Sequence, residues 1–129
     1  MTFLKKWAPE ILSLLRIVSA FMFIQHGTAK MFGFPTSMGP GELDYFSLIG
    51  LAAILEVAGG FLLLIGLFTR PVAFILSGEM AFAYFMAHAP SGFWTLMNHG
   101  ESAVFFCFVF LYIAAEGGGN WSVDKLRKR

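Results

Sequence analysis

The sequence is poor in charge and nearly free of cysteine. Only 13% of its 129 residues are charged, against about 25% in soluble domains. Cys107 is the only cysteine. That excludes an internal disulfide, a dithiol redox motif and c-type haem attachment. There is no glycine-rich nucleotide-binding motif and no cysteine cluster for iron–sulfur. Strict polar–apolar alternation is missing and the apolar runs are too long for strands, so a sheet is excluded. Net charge is +1, which argues against nucleic acid as a partner.

What is present is apolar. Hydrophobic residues make up 57% of the chain and mean hydropathy is +0.71. Four runs of spanning length are expected as helices, at 9–31, 45–68, 71–89 and 97–116, each near the ~20 residues that cross a bilayer. Lys5 and Lys6 before the first run imitate a signal peptide. Arg16 inside that run, with three spans following, favours a retained first helix. Membrane lipids are therefore the expected surroundings.

The connectors are short. Gly33 to Asp44 is rich in glycine and proline and reads as a loop. Thr69–Arg70 reads as a tight turn, with Pro71 in the first turn of the next helix. Gly117–Gly118–Gly119 ends the fourth span. The expected fold is an all-α integral membrane four-helix bundle, up-down-up-down, forming one domain over 1–129. Lys5, Lys6, Arg70, Lys125, Arg127, Lys128 and Arg129 fall on one side, Lys30 with Glu42 and Asp44 on the other. Both termini are thus expected in the cytoplasm. Gly59, Gly60 and Gly66 suit close helix packing.

Charged residues interrupt the apolar runs. From the span starts, Arg16 lies about 10–12 Å from the inner face, Glu56 about 16 Å from the outer face and Glu79 about 12 Å from the inner face. A charge at the bilayer centre costs roughly 2.5–3.5 kcal/mol on insertion scales. An Arg16–Glu56 pair is the cheapest arrangement. It serves either as structural glue or as part of a functional cavity.

A second polar set lies toward the outer end. His26 and Lys30 share a helix face; His88, Asn98, His99 and Glu101 lie at the ends of spans three and four. Together they can line an outward-facing pocket. Lys30 alternatively snorkels to the headgroups. Glu79 and His88 are about 180° apart on an ideal helix, so a bend is needed for both to face one axis. The histidine spacing carries no signature of haem b or of a metal site, and neither is expected. The phenylalanines of span four suit helix packing, lipid contact or a quinone ring.

Three stretches carry a family resemblance: LLRIVSAFMFIQHGTAKMFGF from Leu14 to Phe34, EVAGGFLLLIGLFTRPVAF from Glu56 to Phe74, and GGGNWSVD from Gly117 to Asp124. In this order they resemble the DoxX family of small four-helix membrane proteins. Arg16, His26, Gly27, Lys30, Glu56, Gly59, Gly60, Gly66, Ser122 and Asp124 fall in the family-like positions; Glu79 and His99 rest on depth alone. The resemblance implies a bacterial or archaeal inner membrane, a quinone-linked or oxidative-stress context, and a soluble or membrane redox partner.

Three functions fit. The first is a membrane subunit of a quinone-linked oxidoreductase. In it Arg16, Glu56, Lys30 and Glu79 handle protons, and His26, Lys30, His88, His99 and Glu101 contact a quinone or small reductant. The second is a small-solute or proton-coupled transporter, for which four short helices require homo- or hetero-oligomerisation. The third is a non-catalytic scaffold for a soluble redox enzyme.

Overall fold

The computed structural model describes residues 1–37 and 43–128. Glu42 and Arg129, both used in the charge assignment, lie outside the described residues. Seven α-helices occur among the described residues: α1 (Thr2–Lys5), α2 (Ala8–Phe32), α3 (Leu48–Ile65), α4 (Thr69–Ala83), α5 (Thr95–Asn98), α6 (Glu101–Glu116) and α7 (Val123–Arg127). None of the described residues is in a strand.

Three helical stretches are long and apolar enough to cross a membrane: Ala8–Phe32, Leu48–Ile65 and Thr69–Ser91. The fourth expected span is shorter. Helix α6 has 16 residues, about 24 Å of rise. The chain before it is the separate turn α5, which ends at His99 in the left-handed conformation, φ 62°.

Local chemistry sets the helix ends. Pro9 stands in the first turn of α2, where its missing N–H is no loss. The Ser47 hydroxyl accepts from the Gly50 N–H at 3.1 Å and starts α3. Gly66 closes α3 at φ +75°, where a Cβ would also lie 2.5 Å from Ser122. The turn after α3 ends two residues earlier than expected. Thr69 and Arg70 are already helical, because Asp124 accepts from the Phe68 and Thr69 N–H groups at 2.8 Å each and caps α4 from outside.

Helix α2 packs along α3, and α4 along α6; α3 also meets α4, and α2 meets α6. The α2–α3 contact is close because glycine faces it. A Cβ on Gly60 would lie 2.5 Å from Ile24, and one on Gly27 would lie 2.7 Å from Val57. On the other side of α3, Gly59 meets Leu76 of α4. Phe23 packs edge-on against Phe106 and Phe110, with ring centroids 5.3 and 5.0 Å apart. Those rings, with Leu63, Leu76 and Ile113, form the buried core. The outer surface is apolar too: Val18, Phe21, Leu51, Phe61, Phe74, Phe105 and Phe108 are exposed. Large apolar side chains on both sides of a helix are the mark of a lipid-facing protein.

Candidate functional site

The intramembrane charges separate into two groups, one at the C-terminal end of α3 and one around Glu56 at its middle. Arg16 belongs to the end where the C-terminal segment folds back. Its Nε donates to Leu63 O at 2.8 Å, and its Nη2 donates to Trp121 O at 2.8 Å and to Leu64 O at 3.4 Å. Its Nη1 donates to Gly118 O. Leu63 and Leu64 lie in the last turn of α3, where carbonyls run out of i+4 partners; Leu63 O takes only a 3.2 Å bond from the Gly66 N–H that caps the helix. A guanidinium there satisfies them and complements the helix dipole. Ser13 joins the knot, donating to Gly118 O and accepting from the Trp121 N–H, both at 3.0 Å.

The expected Arg16–Glu56 pair is therefore absent. The register of α2 on α3 explains why. Gly27 is the residue that lies against Glu56, and Arg16 is about three turns, or ~16 Å, further along the axis. The same register delivers Lys30. Its Nζ donates to both oxygens of Glu56, at 2.8 and 2.9 Å. Lys30 thus turns inward rather than snorkelling, and Glu56 is 1% exposed beneath it. Glu79 of α4 lines the same cavity as Glu56, and its Oε1 is buried with no hydrogen-bond partner.

Above this trio lies a cavity of about 670 Å³. His26 and Lys30 line it from α2, Glu56 from α3, Glu79 from α4, and His88 and His99 from the connectors. Met80, Leu55 and Phe106 supply apolar wall. Leu48, Ile49, Leu51, Phe82 and Met86 line it and are also exposed on the outer apolar surface. The cavity thus opens toward lipid between α3 and α4.

A π-helical turn, Tyr84–His88, reconciles Glu79 with His88. The Ala89 N–H bonds back to Tyr84 O, which absorbs one extra residue into the ladder. The angle between Glu79 and His88 falls from about 180° to about 80°, and both reach the cavity. Asn98 holds the turn in place. Its carbonyl oxygen lies 3.0 Å from His88 Nδ1, and its Nδ2 donates to Tyr84 Oη at 3.1 Å and to Gly92 O at 2.9 Å. A carbonyl only accepts, so His88 Nδ1 carries the proton.

Of the residues singled out in the sequence, His26, Lys30, Glu56, Glu79, His88 and His99 come together in the cavity. Arg16 does not. Glu101 is exposed in the first turn of α6 and is not among the cavity-lining residues. The sequence reading missed the apolar walls and the anchoring role of Asn98. No group of three metal-ligating side chains comes together among the described residues.

These features define an all-helical membrane protein with a polar-floored cavity open to its apolar surface. The DoxX family model matches residues 11–89, and the chain belongs to that family. An uncharacterized protein of Haemophilus influenzae is 47% identical over 94% of this chain and 93% of its own length. An uncharacterized membrane protein of Mycobacterium tuberculosis is 26% identical over 94% of this chain and 84% of its own. No solved structure matches the chain.

Proposed function

We propose that this protein is the integral membrane component of a quinone-linked redox system, and that the cavity over Lys30–Glu56–Glu79 takes the quinone headgroup. In this reading α2, α3, α4 and α6 form an up-down-up-down four-helix bundle in the inner membrane, with both termini cytoplasmic. The basic residues at the Arg16 end support that orientation. Electrons come from a soluble or membrane redox partner, in a homo- or hetero-oligomer.

The observation that carries the reading is the pairing of a lipid-facing apolar opening with an ionised floor. A cavity of about 670 Å³ lies within the usual range for small-molecule sites, about 300–1,000 Å³. It accommodates a substituted ring, and its opening lets a hydrocarbon tail remain in the bilayer. Lys30 has three N–H donors, of which Glu56 takes two; the third is available to a ring oxygen. A quinone supplies two-electron, two-proton chemistry. The protein's part is to orient the ring, exclude water and hold protons at the carboxylates. Lys30 with two ionised carboxylates sums to −1, and one proton between Glu56 and Glu79 makes the trio neutral.

The test is quinone binding by the full chain in lipid nanodiscs. Lys30→Ala and Glu56→Gln are each expected to weaken binding of a short-chain benzoquinone by about tenfold or more, the worth of roughly 1.4 kcal/mol. Unchanged binding in both variants contradicts the proposal.

A further inference from the structure

We propose that the end of the molecule away from the cavity is a binding surface for anionic phospholipid headgroups, formed by α1, α7 and the residues beside them. The proposal goes beyond the quinone reading and holds whatever the cavity takes.

The fold brings these two short helices to one end. The Asn120 N–H donates to Pro9 O at 3.4 Å, and its Nδ2 donates to Glu10 Oε1 at 2.7 Å. The segment after α6 therefore lies on the first turn of α2, next to α1. The Asp124 N–H donates to Gly66 O at 2.9 Å, which seats α7 where α3 ends and α4 begins. Six exposed cations collect there: Lys5, Lys6, Arg70, Lys125, Arg127 and Lys128. Apart from Arg70, which donates to Ala115 O and Glu116 O, their charged groups make no hydrogen bond among the described residues.

Three carboxylates accompany the six cations, and two of them are committed within the protein. Glu10 accepts from Asn120; Asp124 accepts from the Phe68 and Thr69 N–H groups. Glu116 is the third, in the last turn of α6. Among the described residues the one ion pair is Lys30–Glu56, so this end keeps an unpaired positive excess. Lys125 and Lys128 are three apart and share a face of α7. Like charges held together repel, and an anion outside the chain relieves the repulsion. The cavity end has the reverse balance: Glu56 neutralises Lys30, and Asp44 and Glu101 are acidic.

Apolar rings among the cations select a lipid over a soluble anion. Phe3, Trp7, Trp121 and Leu126 are exposed. Lys6 Nζ lies 5.8 Å from the Trp7 ring centroid, and the Arg127 guanidinium 5.1 Å from that of Phe68. Both rings are half exposed. Such residues at the ends of spanning helices lie at headgroup depth, where aromatic rings anchor and lysines meet phosphates.

The experiment uses the full chain in phosphatidylcholine liposomes with spin-labelled phosphatidylglycerol or phosphatidylcholine. Electron spin resonance reads the label fraction immobilised by protein. Phosphatidylglycerol is expected to associate about threefold or more strongly than phosphatidylcholine. The ratio is expected to fall toward unity in about 1 M salt, where the screening length is about 3 Å. Replacing Lys5, Lys6, Lys125 and Lys128 together by Gln is expected to remove at least about half of the preference. Lys→Arg at the same four positions is expected to retain it. No preference in the wild type overturns the proposal, as does full preference in the folded fourfold Gln variant. Loss of the preference to inorganic phosphate, but not to chloride at matched ionic strength, assigns the cations to a soluble anion and also overturns it. If the fourfold variant does not fold, Lys125→Gln with Lys128→Gln carries the same comparison.

Discussion

At the scale of single residues, the contrast between Arg16 and Lys30 matters most. Both are cations within a spanning helix, and both are family-like positions. Arg16 is satisfied by carbonyls at the end of α3 and in the returning C-terminal segment. Lys30 is satisfied by a carboxylate at the cavity floor. Arg16→Lys is therefore expected to lower the thermal midpoint in detergent, since an ammonium cannot reproduce the guanidinium fork, while ligand binding per folded molecule is unchanged. Removing one partner of the floor pair leaves a buried charge uncompensated. Lys30→Met alone is expected to cost about 3–5 kcal/mol. The double change Lys30→Met with Glu56→Leu recovers most of that loss, because apolar replacement of a buried pair is often near neutral. Detergent-unfolding midpoints of the single and double variants check both statements.

At the scale of elements, the π turn and the short C-terminal helix carry the most information. Phe85 lies within the π turn and is exposed. Deleting it is expected to restore a regular helix, rotate His88 by about 100° and weaken binding of the short-chain benzoquinone with helicity retained by circular dichroism. Helix α7 acts through Asp124. Partial burial pushes its carboxyl up, but the Thr69 and Phe68 N–H groups and nearby Arg127 more than offset this and hold it below the usual carboxylate range. A depressed folded value means that this stability is fully present above the unfolded value of about 3.9 and is lost as pH falls through the lower folded value. Asp124→Ala is expected to cost about 1 kcal/mol, the worth of a helix cap, and to speed protease cleavage between Gly117 and Val123.

Much of this was legible in the sequence, and the boundary is physical. Hydropathy over about 20 residues locates α2, α3 and the Thr69–Ser91 stretch, because the bilayer dictates both length and composition. The sharing of a face by His26 and Lys30 follows from helical spacing. The partner of Glu56 was not legible. Depth counted from span starts put Arg16 and Glu56 together, but pairing depends on the register of α2 against α3, and that register is set by glycine contacts such as Gly60 on Ile24. The π turn was foreseen only as a requirement. The return of Gly118 and Trp121 onto Arg16 joins residues about a hundred positions apart, which no local pattern reports.

At the scale of the whole molecule, one end is a structural clasp and the other is a chamber. The clasp unites the ends of α2, α3 and α4 with α7. The chamber uses the same helices at their opposite ends, where the surface is apolar and the floor is ionised. The proposed orientation, with the termini in the cytoplasm, predicts that a fluorescent protein fused after Arg129 fluoresces, while an alkaline phosphatase fused there is inactive.

The central claim is that ligand binding resides in the Lys30–Glu56–Glu79 chamber and not in the Arg16 clasp. Its most direct test is binding of the short-chain benzoquinone, per folded molecule, by the Lys30→Met, Glu56→Leu double variant in nanodiscs. The account predicts a folded protein whose affinity for the short-chain benzoquinone falls by about tenfold or more. A folded double variant that binds the benzoquinone as tightly as the wild type contradicts it.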